Sequence, residues 1–187
     1  TGVAKMREIV AEAGTPIGMA CRAGAWGPFR TDVDVLWDWG AHDVALVGDL
    51  LGWDGLVLED ATARTVCERE GGRGQSAWMR FRRHDTAIHI TVSNVLPGKV
   101  RCLELTFANG AVHRYSEYPE PVFDTWDGRC WSRDQLEREG PVGPMLARFA
   151  ALIRHGEPHH LEMDFGLEVV TWLARASSAA RISTSGR

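Results

Sequence analysis

The change of hydrophobic period after Gly52 constrains the fold of this chain most. From Leu56 to Tyr115, apolar and polar residues alternate in several short runs, whereas the flanking segments carry apolar residues at helical spacing. The Asn109-Gly110 pair between two of these runs is typical of a tight β-hairpin turn. Strands in one block with helices at both ends predict an α+β fold, with a predominantly antiparallel sheet and helices packed on one face.

The segments around this block complete a single domain over residues 1–187. The predicted helices cover residues 3–13, 34–51, 144–155 and 164–180. We expect residues 1–14 to form a linker helix and residues 182–187 to form a disordered tail. Residues 117–143 are rich in Pro, Trp and Gly, which predicts a long irregular excursion over the surface.

Charge and composition narrow the possible partners. The formal net charge is −4, and the longest basic run is Arg82-Arg83, so we expect no nucleic-acid partner. No apolar stretch approaches the roughly 18 residues that a membrane span needs, so we expect no membrane partner. The four cysteines fit no zinc spacing, which favours buried, reduced thiols in a cytoplasmic protein. Eight tryptophans favour a ligand with apolar C–H faces, such as a sugar.

The helix predicted over residues 34–51 has two distinct faces. At 100° per residue, one narrow stripe is apolar and includes a glycine; it contains Leu36, Gly40, Val44, Val47 and Leu51. Asp38 and His42 lie on the other side of the helix, bordered by apolar residues. We expect Gly40 to let the backbone approach the sheet closely. Asp38 and His42 should then face outward.

Asp38 and His42 are four residues apart, so their side chains lie on one face of the helix. A carboxylate beside an imidazole raises the imidazole pKa and orients the ring, and such a pair can move a proton to or from a hydroxyl. Spacing alone favours an ordinary polar pair over a catalytic one. In either case we expect His42 to be exposed and within hydrogen-bonding distance of Asp38 or a neighbouring acid.

An ordered set of motifs links this helix to a known family. The segment Asp38-Trp39-Gly40-Ala41-His42 matches a D-x-G-x-H motif, and the helix ends in Leu50-Leu51-Gly52. A Gly-x-Pro turn follows at Gly156-Glu157-Pro158, before a helix opened by Asp164-Phe165-Gly166-Leu167. In this order the motifs resemble the C-terminal, substrate-binding half of the glucose–fructose oxidoreductase/inositol dehydrogenase (Gfo/Idh/MocA) family. The similarity runs from about Lys5 to Ala180.

The resemblance implies a chemistry and a set of roles. His42 would be the acid/base on a substrate hydroxyl, Asp38 would orient the substrate and His42, and NAD or NADP would exchange a hydride with a sugar, cyclitol or other polyol. It also implies a homo-oligomer formed through the sheet face. The family's E-K-P segment, which belongs to its N-terminal domain, does not occur in this sequence.

Other residues are candidate contacts to a small-molecule substrate. They are Trp26, Trp39, Asp43, Arg80 and Trp126. Trp26 lies in a loop that resembles the entry to the family's active-site helix, and Trp126 lies in the predicted excursion. A histidine-rich cluster, at His155, His159, His160 and Glu162, is predicted to be a solvated turn, so we expect no metal site.

The dinucleotide-binding half of the family has no counterpart here. A Rossmann unit needs a strand, a G-x-G-x-x-G turn and a helix, and the glycine cluster at residues 71–74 lies between two predicted strands. We therefore expect no cofactor-binding residue in this chain. The Rossmann domain could be a removed part of a longer protein or a separate polypeptide. Alternatively, the chain could work alone as an isomerase, cyclase or lyase, or serve as a non-catalytic binding or oligomerisation module.

Overall fold

A computed structural model describes residues 2–69, 71–138, 140, 142–155 and 160–184, without the side chains of residues 155, 160–162 and 181–184. The helices are α1 (Gly2–Ala13), α2 (Val35–Leu51), α3 (Val142–His155) and α4 (His160–Ala179). The strands are β1 (Gly18–Trp26), β2 (Leu56–Arg69), β3 (Gly72–Arg83), β4 (Thr86–Ser93), β5 (Val95–Thr106), β6 (Val112–Ser116), β7 (Val122–Trp126), β8 (Trp131–Gln135) and β9 (Arg181–Thr184).

The described strands form one sheet in the order β8-β7-β6-β5-β1-β4-β3-β2-β9. Neighbouring strands are antiparallel except for two pairs, β1 with β4 and β2 with β9. Helix α2 packs on β1, β3 and β4, while α4 packs on β2 and on α2. The predicted α+β fold, with a mostly antiparallel sheet and helices on one face, is confirmed.

The hydrophobic core lies between this sheet face and the helices. On β3, Met79 and Phe81 are almost fully buried, and Phe81 meets Trp172 of α4 edge-on, with 6.0 Å between ring centroids. The alternate residues of the same strand, Trp78 and Arg80, are exposed on the opposite face. This two-residue alternation is the period expected for a sheet with one covered face.

Helix α2 has the predicted phase. Asp34 caps its N-terminus, since the carboxylate accepts hydrogen bonds from the backbone N–H groups of Leu36 (2.9 Å) and Trp37 (3.2 Å). Gly40 is buried, and a Cβ at this position would lie 3.1 Å from Met79 Cε and 3.6 Å from Leu173 Cδ2. The glycine therefore allows α2 to lie close to both the sheet and α4.

Replacing Gly40 with Leu is expected to destabilise the fold by about 1–3 kcal/mol, because the added side chain has no free space against Met79 and Leu173. Urea unfolding followed by circular dichroism measures this change. The control is Gly40→Ala, in which the flexible end of Met79 can move and alanine favours the helix by about 1 kcal/mol. A Leu variant as stable as the wild type would contradict the packing described.

Two regions differ from the sequence prediction. The predicted excursion contains β7 and β8, which extend the sheet because β7 pairs antiparallel with β6 and β8 pairs antiparallel with β7. Each of these strands has only five residues, and the surrounding Pro and Gly residues hide so short a pattern. The predicted disordered tail contains β9, whose backbone pairs in parallel with β2 from Thr62 to Thr65. Residues 185–187 lie outside the described part of the chain.

Candidate functional site

A cleft of about 670 Å³ opens on the helix side of the sheet. Helix α2 forms one wall with Asp38, Trp39 and His42, and the strands β5 and β6 form the opposite wall with Arg101 and Tyr115. Arg101 and Tyr115 lie close together because Leu103, two residues after Arg101 on the same face of β5, pairs with Tyr115 in the β5–β6 ladder. The cleft therefore combines one short motif on α2 with residues about 60–75 positions further along the chain.

His42 faces this cleft as the helix phase predicted. Gly40 and Val44 turn into the core, so the intervening His42 is turned outward and its side chain is exposed. His42, the residue of the D-x-G-x-H motif that is suited to acid/base chemistry near neutral pH, is thus accessible to a ligand in the cleft.

Asp38 also lines the cleft, but it makes a different contact from the one expected. Its Oδ1 lies 3.1 Å from Nε of Arg30, in the loop before α2. Among the described side chains, no hydrogen bond joins Asp38 or another acid to the His42 ring, so the predicted hydrogen bond is not found. Arg30 draws the carboxylate toward the helix N-terminus, and Asp38 acts on His42 through its charge alone.

The charges around His42 act in opposite directions on its protonation. Partial burial lowers the pKa of His42 below its ordinary value of 6.5, and the Arg101 guanidinium lowers it further. The carboxylates of Glu117 and Asp38 raise the pKa of His42 and partly offset these effects. The imidazole is therefore mainly neutral near neutral pH, which is the form that accepts a proton.

Arg101 is the central cation of the site, and sequence reasoning missed it. Its Nη1 lies 3.8 Å from Oδ1 of Asp43, and its Nε lies 3.6 Å from Oε2 of Glu117. Arg101 occupies the same face of β5 as the buried residues Leu103 and Leu105. A charged residue in phase with the core-facing positions of a strand is the signal that could have identified it.

Asp43 lies beneath the cleft rather than in it. Its residue exposure is 1%, and within the described part of the chain its Oδ2 has no hydrogen-bond partner. Burial raises the pKa of Asp43 to about 7, although the Arg101 guanidinium opposes this change. Asp43 is absent from the cleft lining because α2 turns it toward the sheet together with Val44, and its direct contact with substrate stays a prediction.

The remaining predicted contacts separate into two groups. Trp39 lines the cleft beside His42. Trp26 is 55% exposed and meets Phe29 edge-on at 5.5 Å, away from the cleft lining. Arg80 and Trp126 lie on the opposite face of the sheet, where Arg80 pairs with Asp60 at 3.3 Å. Strand alternation keeps these two residues away from His42.

The described residues contain no group of three or more His, Cys, Asp or Glu side chains that could hold a metal ion. They also contain no helix that is long and apolar enough to cross a membrane. The side chains of the histidine-rich cluster, His155, His159, His160 and Glu162, lie outside the described part of the chain.

Comparison with known proteins finds matches among solved structures. Neither a protein-family model nor a curated protein matches the sequence. The 3-ketoreductase KijD10 from Actinomadura kijaniata, solved with TDP-benzene and NADP, matches 98% of this chain with a TM-score of 0.82 and 15% identity. The UDP-N-acetylglucosamine 3-dehydrogenase GnnA from Acidithiobacillus ferrooxidans matches 96% of it with a TM-score of 0.70 and 18% identity.

The chain has the fold of these sugar oxidoreductases over the part that they share. It spans 59% of the KijD10 chain and 60% of the GnnA chain. A protein from Magnetospirillum magnetotacticum MS-1 has a similar relation, with a TM-score of 0.73, 24% identity and 59% of its chain covered. The structural likeness therefore confirms the fold that the D-x-G-x-H resemblance implied.

Proposed function

We propose that this chain is the substrate-binding domain of an NAD(P)-dependent Gfo/Idh/MocA oxidoreductase that acts on a CH–OH group of a sugar, cyclitol or related polyol. The observation that carries the proposal is His42 of the D-x-G-x-H motif, exposed in the 670 Å³ cleft with a lowered pKa. The shared fold with KijD10 and GnnA supports it. All four cysteines are free, which suits a reducing compartment such as the cytoplasm. Cys21 is buried, whereas Cys130 is exposed.

His42 handles the proton in this proposal. When the substrate hydroxyl is oxidised, the neutral imidazole accepts the hydroxyl proton; when the carbonyl is reduced, the protonated ring returns it. Asp38 and Glu117 stabilise the positive charge that the ring gains, because both carboxylates raise the pKa of His42. The cofactor's contribution is the uptake or release of a hydride.

The cleft lining carries a net positive charge, which favours a substrate with a negatively charged group. Its cations are Arg30, Lys99 and Arg101, of which Arg30 pairs with Asp38 and Arg101 with Glu117, so Lys99 has no carboxylate partner among the lining residues. Trp39 and Tyr115 contribute aromatic surface. Aromatic rings can stack on the apolar faces of a sugar, whereas guanidinium groups can hold a phosphate or carboxylate. A sugar nucleotide, the substrate class in the name of GnnA, combines these features.

The residues of this chain do not fit the dinucleotide itself. The glycines at positions 71, 72 and 74 lie at the β2–β3 hairpin, and none of them precedes a helix that could hold a pyrophosphate. The proposal therefore requires a nucleotide-binding half, in the same polypeptide or in a separate one.

NADPH titration tests this division of labour. The 187-residue chain is expected to show no saturable change in NADPH fluorescence at micromolar concentrations, because the described residues contain no glycine-rich turn that leads from a strand directly into a helix. Adding the nucleotide-binding half should restore binding, together with the reduction of a keto-sugar. Tight binding by this chain alone would contradict the proposed separation. Turnover of a sugar substrate without any nicotinamide would instead favour a stand-alone isomerase, cyclase or lyase.

We also propose that the sheet face opposite the helices forms a subunit interface. This face exposes Val57 (51%) and Trp78 (40%), and no described helix packs on it. Sedimentation equilibrium at increasing protein concentration should therefore show a dimer or a larger assembly. Trp78→Glu should shift the equilibrium toward the monomer, and a wild-type chain that stays monomeric at high concentration would refute the interface.

A further inference from the structure

Helix α3 presents an apolar face to solvent. Five of its large apolar side chains are 56–67% exposed, whereas the sixth, Leu152, is buried at 7%; the exposed five are Val142, Met145, Leu146, Phe149 and Ile153. At 100° per residue these five positions fall within an arc of about 100°, so they form one continuous stripe, which we call the α3 face. A stripe of this kind on a helix surface normally packs against another element.

The α3 face begins beside the candidate site. Gly140 and Pro144, just before and within the first turn of α3, line the same cleft as His42. A body that packs on the α3 face therefore also borders the mouth of the cleft. This adjacency favours a domain or protein whose function requires it to lie next to His42.

We propose that the α3 face is the surface on which the nucleotide-binding half of the enzyme docks. The inference rests on the proposed function, which requires a nicotinamide carrier close to His42. The chain spans 58–60% of the solved KijD10 and GnnA chains, and KijD10 is solved with NADP, so this fold occurs elsewhere together with a further part of the chain in a protein that binds NADP.

The size of the α3 face favours this occupant over a second copy of the chain. Its 14 residues give a helix about 21 Å long and about 10 Å wide. That area is a few hundred Å², well below the roughly 800 Å² per partner of a stable interface between separate proteins. Interfaces between domains are often smaller and more polar, because additional contacts or a linker hold the domains together.

Photo-crosslinking of the natural-length gene product, in the cells that express it, tests the proposal. A benzoylphenylalanine replaces Phe149 in one sample and Leu167 in the matched control; Leu167 is an apolar residue on α4 with 65% exposure. Tandem mass spectrometry then identifies the attached peptide. We expect adducts from position 149 to a polypeptide segment that carries a glycine-rich nucleotide-binding turn, at several times the yield from position 167.

Several outcomes would overturn the inference. They are an adduct to residues 2–184 of a second copy, an adduct to a protein that does not bind NADPH, equal yields at both positions, or no adduct. NADPH binding and sugar turnover are measured on the same samples. Loss of both would count against the proposed function, whereas turnover without the expected adduct would count against the docking surface alone.

A pair of substitutions gives a second readout. Leu146→Glu with Phe149→Glu places two charges in the proposed interface and should lower kcat/KM about tenfold or more, because central apolar contacts dominate interface energies. The matched pair, Leu167→Glu with Val170→Glu, should leave kcat/KM within about twofold. Thermal unfolding should be similar for both pairs, since all four side chains are at least half exposed.

Discussion

Replacing His42 with Ala is expected to slow the oxidoreduction catalysed by the assembled enzyme by about 10²–10⁴-fold, the usual contribution of a positioned acid/base. The ring faces the cleft, and its pKa lies below the ordinary value of 6.5 because of partial burial and the Arg101 guanidinium. Steady-state rates with a keto-sugar and NADPH measure the effect. The folding free energy should change by only about 0.5 kcal/mol, since the side chain is exposed.

The pH dependence separates an acid/base role from a simple contact. Oxidation needs the neutral imidazole, so kcat/KM for oxidation should rise as the pH rises through the pKa of His42 and then level off. Reduction needs the protonated ring and should show the opposite slope. His42→Gln keeps a polar side chain of similar size but should lose both slopes. A Gln variant with the wild-type pH profile would exclude His42 as the proton donor and acceptor.

The part of the site on α2 could be predicted because it is local. Helical spacing alone gives the phase that buries Gly40 and exposes His42, and the structure has this phase. The residues that surround His42 could not be predicted in the same way. Arg101 and Glu117 reach the cleft through the pairing of β5 with β6, which brings residues about 60–75 positions away opposite α2. The spacing of residues within one segment does not show which distant strands will pair beside it.

The alternation of strands explains why two of the predicted substrate contacts lie away from the cleft. Arg80 follows the buried Met79 by one residue, and Trp126 lies three residues after the buried Phe123. Odd separations place both side chains on the face opposite their buried neighbours, away from the cleft. Alternation within one strand shows which residues share a face, but it does not show which of the two faces the α2 helix will cover.

Asp43 is expected to make the stability of the wild-type chain strongly dependent on pH. Its pKa is about 7 in the folded protein, compared with 3.8 for an ordinary carboxyl, so the folded state binds a proton more tightly than the unfolded state. The stabilising contribution is therefore complete below about pH 4 and is lost as the pH rises to about 7. A difference of this size corresponds to on the order of 4 kcal/mol.

Asp43→Asn isolates this contribution, because the amide has nearly the same shape and cannot ionise. The variant and the wild type should have similar unfolding free energies near pH 4, while the variant should be more stable above pH 7. Urea unfolding at a series of pH values gives the difference between the two curves, in which the contributions of all other groups cancel.

The exposed Asp127 provides a control of opposite sign. Hydrogen bonds from the backbone N–H groups of Cys130 and Arg129 lower the pKa of Asp127, so its carboxylate stabilises the fold above the ordinary pKa and loses that effect as the pH falls. Asp127→Asn should thus be less stable than the wild type at neutral pH. If Asp43→Asn behaves in the same way, Asp43 is held as a stabilising anion by Arg101. In that case the 3.8 Å ion pair outweighs the cost of burying its charge.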